Sequence, residues 1–180
     1  MTDINVLVLV GSLRAASINR QIAELAAETA PDGVAVTVFD GLGEVPFYNE
    51  DVDTAEAPEP AIRLRRAAAN ADAALVVTPE YNGTLPAVLK NAIDWLSRPY
   101  GQGALGGKPV AVIGAAAGRY GGQWAIDDAR KSLTIAGTRV IDGIELAVPI
   151  QSLDGKHPRE HADLIATVRG VLGKLAVEVG

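Results

Sequence analysis

Two hydrophobic patterns alternate along the whole chain. Ile4 to Val10 is a nearly continuous run of Ile, Val and Leu, the signature of a strand covered on both faces of a parallel sheet. Ala73 to Val77 and Val110 to Ile113 repeat it. Val34, Val36 and Val38 instead alternate with Ala35 and Thr37, as a strand at a sheet edge does when one face is less buried. A last strand is expected within Arg139 to Val148, interrupted at Asp142 and Gly143. Between these runs the apolar period lengthens from two to about 3.6 residues, the period of a helix with one buried stripe. Ile18, Ile22, Leu25 and Thr29 form one stripe; Leu89, Ile93 and Leu96, flanked by Val88 and Ala92, form another. Ile126, Ala129, Leu133 and Ala136 follow the fourth strand, and Leu164, Val168, Val171 and Leu175 mark the last helix. The second helix, around Ala61 to Asn70, is the weakest pattern because Arg63, Arg65 and Arg66 crowd it.

Five β-α units imply an α/β fold with a parallel sheet and helices on both faces. Right-handed crossovers then restrict the topology to a doubly wound sheet. Strand order 2-1-3-4-5 puts the alternating second strand at an edge, as its pattern asks. The 180 residues suit one domain spanning residues 1–180. One connection is unusual: Gly41 to Pro60 is long, acidic and contains proline, and loops of that length in compact domains are often functional.

Composition sharpens this picture. Hydrophobic residues make up 48% of the chain and aromatics only 4%, so aliphatic side chains must fill the core. A net charge of −6 argues against a nucleic-acid binder, which needs a basic stripe. With no cysteine, thiol redox chemistry and disulfides are excluded, and any redox work falls to a bound cofactor. Met1 to Asn5 has no basic stretch before its short apolar run, so a cytoplasmic location without membrane insertion is the expectation.

In such a sheet, ligands bind at the carboxyl ends of the strands where strand order reverses, here between strands one and three. The loop after strand one reads Gly11-Ser12-Leu13-Arg14-Ala15-Ala16-Ser17-Ile18-Asn19-Arg20 and runs straight into a helix. A helix N-terminus offers unpaired N–H groups and a positive dipole end, which suit a phosphate. Ser17 is placed to cap that helix and Arg14 to pair with the phosphate charge. The loop has neither the three-glycine dinucleotide fingerprint nor the Gly-Lys-Ser/Thr ending of an NTPase loop.

These residues resemble the NADPH-dependent FMN reductase family, which includes bacterial quinone, azo-dye and chromate reductases. Its phosphate-loop pattern is matched by Gly11, Ser12, Arg14, Ser17 and Asn19, and its flavin loop by Pro79-Glu80-Tyr81-Asn82, followed here by Gly83. Leu89 to Arg98 matches its next helix, and Pro46 to Val52 a motif in the long loop. The resemblance implies a flavodoxin-like fold, with FMN and NADPH (or NADH) as cofactors. It implies FMN contacts from Ser12, Arg14, Ser17, Ile18 and Asn19, and from Pro79, Glu80, Tyr81, Asn82 and Gly83. Ala117 and Gly118, after strand four, close the remaining side.

Read on its own, Asn82-Gly83 is a turn dipeptide, while Tyr81 can wall a flat ring and Gly83 lets backbone approach closely. Hydride transfer to a flavin needs positioning rather than a side-chain acid, so no catalytic side chain is assigned. His157 and His161 are read as helix-start residues rather than metal ligands. Lys90, Asn91 and Asp94 are explained as the polar side of an amphipathic helix; the resemblance adds that Asp94 and Trp95 could face a partner subunit. Trp124 stands where many relatives have a different sequence, and is read as interface or core. The resemblance also implies a homodimer or homotetramer, with Tyr48 and Asn49 of the long loop reaching a neighbour's flavin. The expected function is transfer of two electrons from NAD(P)H through FMN to a quinone-like or other small acceptor. A flavodoxin-type electron carrier, or a binding protein without flavin, are the alternatives.

Overall fold

The computed structural model describes residues 3–144 and 146–180. Met1 and Thr2, at the expected N-terminal segment, and Glu145, inside the expected last strand, lie outside the described residues.

The apolar runs form strands β1 (Ile4–Val10), β2 (Val34–Val38), β3 (Ala73–Thr78) and β4 (Pro109–Ala116). All pair in parallel, in the order β2-β1-β3-β4-β5. The fifth position is filled by two short strands, β5 (Arg139–Val140) and β6 (Ala147–Pro149). Both pair with β4, through Pro109↔Arg139 and Gly114↔Ala147. The sheet is flavodoxin-like, as expected, but six strands occupy the five expected positions. The break falls where Asp142 and Gly143 stand, and Gly143 takes a positive φ of 70°.

Helices α1 (Ile18–Glu28) and α5 (Ala162–Val179) cover one face; α2 (Glu59–Asn70), α3 (Ala87–Leu96) and α4 (Gln123–Ile135) cover the other. Side-chain alternation along β1 feeds both cores. Val6, Val8 and Val10 pack with Ile22, Leu25 and Val168, while Leu7 and Leu9 pack with Leu64, Leu89 and Ile126. A fully buried Val or Leu side chain is worth about 1.5–3 kcal/mol relative to an exposed one. Because β3 buries all six of its residues, the loop at its carboxyl end stands on a fully buried strand. β2 is only partly buried and lies at the edge, as its alternation indicated. Trp95 is the one aromatic side chain in the buried core among the described residues, so aliphatics do fill the interior.

The long connection after β2 is a fastened strap. Two 3₁₀ turns, Leu42–Glu44 and Glu50–Val52, shape it, and Leu42, Val45 and Ala57 are buried anchors. The arginines that blurred the α2 pattern hold it. Arg63 pairs with Glu44, and Arg65 makes a two-pronged bridge to Asp53 at 2.6 and 2.8 Å. That hydrogen-bonded guanidinium holds the Asp53 carboxyl below its ordinary pKa, against the opposing effect of burial. Asn91 takes the Tyr48 N–H on its Oδ1 (2.8 Å) and donates to Val45 O and Pro46 O. Trp95 Nε1 donates to Pro46 O at 2.8 Å.

Candidate cofactor site

The loops after β1, β3 and β4 meet at the carboxyl end of the sheet. The first is tied down at its root, where the Gly11 N–H donates to Val77 O (2.9 Å). A Cβ on Gly11 would sit 3.2 Å from Pro79 Cδ, so glycine there lets the first two loops close on each other. Ser12 and Ser17 are buried, while Leu13 and Arg14 are exposed. Ser17 is the N-cap of α1, with extended backbone and its Oγ accepting from Arg20 N at 3.4 Å. The first turn of α1 has no acidic residue, so its positive end is not neutralised from within the helix. Arg14 takes part in none of the ion pairs among the described residues. An uncompensated helix N-terminus beside an uncompensated guanidinium is a donor set that fits a phosphate.

Asn19 is used differently from what the phosphate motif suggested. It is 3% exposed, and its Nδ2 donates to Ala115 O (2.8 Å) while its Oδ1 accepts from Ala115 N (2.9 Å). The side chain is a clamp between α1 and β4. Only its backbone N–H, in the first turn of α1, is positioned for a ligand.

The second loop is a rigid hairpin. Tyr81 and Thr84 exchange backbone hydrogen bonds of 3.1 and 3.2 Å around Asn82 and Gly83. Asn82 has φ 53° and Gly83 φ 76°, the pair of positive values a type I′ turn needs and Asn-Gly adopts at low cost. This hairpin is seated on α4. Glu80 Oε2 accepts from Ala125 N (3.3 Å), capping α4 from outside, and Thr84 Oγ1 donates to Asp128 Oδ2 at 2.6 Å.

Arg14 and Tyr81 line one cavity of about 410 Å³, together with Gly11, Leu13, Pro86, Ala87 and Val88. Ser12 borders a separate depression on the β2 side, with Arg20 and Asp40. Ala117 and Gly118 are exposed and line neither; Ala117 O accepts from Gln151 Nε2.

Two expectations for the next helix are corrected. Asn91 is buried and holds the strap, so it does not belong to the polar side of α3. Its signal was its place beside Ala92 and three residues after Val88, on the apolar stripe; Asn19 sits likewise beside Ile22 and Ala23. Trp95 is fully buried within its own chain and faces no partner. Tyr48 packs edge-on against it at 5.1 Å, with Arg98 5.6 Å above the Tyr48 ring. The exposed ring of the strap is Phe47. Trp124 is 59% exposed, which removes it from the core. His157 and His161 do start helices: a 3₁₀ turn at Pro158–Glu160 and α5. No described helix is long and apolar enough to cross a membrane.

A doubly wound parallel sheet with a helix N-terminus and Arg14 at its switch point is an arrangement that suits a phosphate-bearing cofactor. The profile of the NADPH-dependent FMN reductase family matches residues 4–152. A quinone reductase of Pseudomonas putida is 46% identical over 129 residues, covering 72% of this chain and 69% of that protein. An NAD(P)H-dependent FMN reductase of Pseudomonas aeruginosa is 46% identical over 119 residues, 66% of this chain and 63% of its own. Among solved structures, the flavoenzyme NAD(P)H:(acceptor) oxidoreductase FerB from Paracoccus denitrificans superposes with a TM-score of 0.84. The two are 32% identical, and the match covers 98% of this chain and 97% of that one. This chain belongs to the NADPH-dependent FMN reductase family. It is an oxidoreductase, and its cofactors are FMN and NADPH or NADH.

Proposed function

We propose that the protein is an NAD(P)H-dependent quinone reductase acting as one domain in the cytoplasm, where nicotinamide cofactors are supplied. The observation that carries the site is the unneutralised α1 N-terminus beside Arg14, which joins no ion pair among the described residues and lines one cavity with Tyr81. In this reading Ser12, Arg14, Ser17 and the backbone N–H groups of Ile18 and Asn19 hold the FMN phosphate. Pro79 to Gly83 hold the ring system, with Ala117 and Gly118 on its far side. Bound FMN would supply two-electron chemistry between the nicotinamide and the acceptor, so that a quinone receiving a hydride equivalent and one proton from solvent would leave as its hydroquinone. The chain's own contribution is positioning: the hairpin of residues 81–84 is fixed by its turn and by α4, so the ring rests on a surface that does not reorganise. The quinone acceptor is supported by the quinone reductase relatives.

Arg14→Ala should weaken FMN binding about ten- to hundredfold, because a charge-assisted contact to a partly exposed phosphate is worth about 1.5–3 kcal/mol. Thermal stability of the flavin-free protein should stay unchanged. Titrating FMN into the flavin-free variant checks this, and an unaltered dissociation constant removes Arg14 from the site.

The same reading includes a homodimer or a homotetramer. Its support is the groove between α3 and α4, where two cavities of about 660 and 450 Å³ share Lys90, Ser132 and Ile135. Phe47, 79% exposed on the fastened strap, takes the place of Tyr48 as the residue offered to a neighbour's flavin; a two-fold axis would repeat that contact on both sides. Light scattering of the FMN-bound protein should give at least a dimer mass. A monomer with full NAD(P)H oxidation would overturn the assembly.

A further inference from the structure

The loop between β4 and α4, with the first turn of α4, carries an aromatic shelf outside the residues assigned to FMN. Tyr120 is 52% exposed, and its ring centroid lies 6.1 Å from that of Trp124, with the planes tilted by 38°. The Arg119 guanidinium sits 4.5 Å above the Tyr120 ring. The shelf abuts the flavin hairpin: a Cβ on Gly83 would lie 3.4 Å from Trp124 Cε3. Tyr81, also exposed, stands on the strand side of the same turn. Three of the chain's eight aromatic residues therefore stand exposed on the hairpin after β3, the loop after β4 and the first turn of α4.

From this geometry we infer that Trp124 and Tyr120 form the acceptor subsite, on which planar, electron-poor rings of the quinone class stack. The inference rests on the quinone reductase reading and adds to it the surface that selects the acceptor. Stacking suits this pair because aromatic planes attract in offset and tilted arrangements. Charge points the same way. Arg119 joins none of the ion pairs among the described residues, and its hydrogen bond there goes to the Tyr120 hydroxyl. A free guanidinium beside the shelf favours an oxygen-bearing ring that gains electrons.

The test uses the FMN-loaded enzyme and the variants Trp124→Leu and Tyr120→Leu. Trp95 is fully buried and Trp124 exposed, so quenching by a small solute separates their emission. Titration of oxidised holoenzyme with naphthoquinone should quench the exposed indole saturably, and Trp124→Leu should abolish that component. In turnover, the KM for naphthoquinone relative to that for ferricyanide, which has no ring to stack, should rise about three- to tenfold in either variant, the size expected for one lost stacking contact. Equal shifts for both acceptors, or an indole that naphthoquinone does not quench, would overturn the inference. So would a Trp124 shielded from acrylamide in the assembled protein, since a second copy would then cover it. The titration needs no turnover, so it reads the subsite even if NAD(P)H fails to reduce the flavin, the result that would sink the quinone reductase reading.

Discussion

Replacing Asn19 with Ala should cost about 2–5 kcal/mol of stability and weaken FMN binding at the same time. The amide satisfies both the N–H and the C=O of Ala115 at a site closed to water. Each buried backbone group left without a partner costs about 1–3 kcal/mol. No other described group is hydrogen-bonded to place α1 against β4 in this way, and α1 carries the turn proposed to hold the phosphate. Asn19→Asp should rescue little, because it restores the acceptor for the Ala115 N–H but sets a carboxylate oxygen against the Ala115 carbonyl. Urea unfolding of the flavin-free variants, followed by FMN titration, measures both effects. A loss under about 1 kcal/mol, within the range of one ordinary hydrogen bond, would show that the clamp is dispensable.

Trp95→Ala should be at least as damaging, at about 3–5 kcal/mol, the usual range for emptying a buried aromatic site. The ring is wholly buried, and three features of the strap depend on it: the Nε1 bond to Pro46 O, the Tyr48 ring and the Arg65 guanidinium 5.1 Å above it. Trp95→Phe separates these roles. It keeps most of the volume and loses the N–H, so it should cost about 1–2 kcal/mol while leaving residues 46–48 more open to protease. Equal stability of the two variants would show that packing contributes nothing beyond the Pro46 hydrogen bond.

These two residues also mark what local sequence could and could not disclose. The central strands were legible because burial on both faces leaves an uninterrupted aliphatic run, and β2 because its alternation betrays an edge. The N-cap of α1 was legible because capping is a property of neighbouring residues, as Ser17 demonstrates. Asn91 and Trp95 were misread, and the side-chain clamp of Asn19 went unseen, because their partners are remote: Ala115 lies 96 residues from Asn19, and Val45 lies 46 from Asn91. A polar residue on an apolar helical stripe signals a buried hydrogen bond but not its partner. Tyr48 and Phe47 are adjacent in sequence, and only the tertiary packing of Trp95 decides which ring is buried. The break between β5 and β6 was legible from Asp142 and Gly143, and the expected strand order already put this last, interrupted segment beside β4; its division into two separate strands was not foreseen.

Anaerobic mixing of the FMN-loaded protein with NADPH, and separately with NADH, tests the reductase function most directly. Rapid bleaching of the oxidised-flavin absorption with at least one of them, restored on adding a quinone, is the expected result. A protein that binds no FMN, or one whose flavin stays oxidised with both nicotinamides, would contradict it.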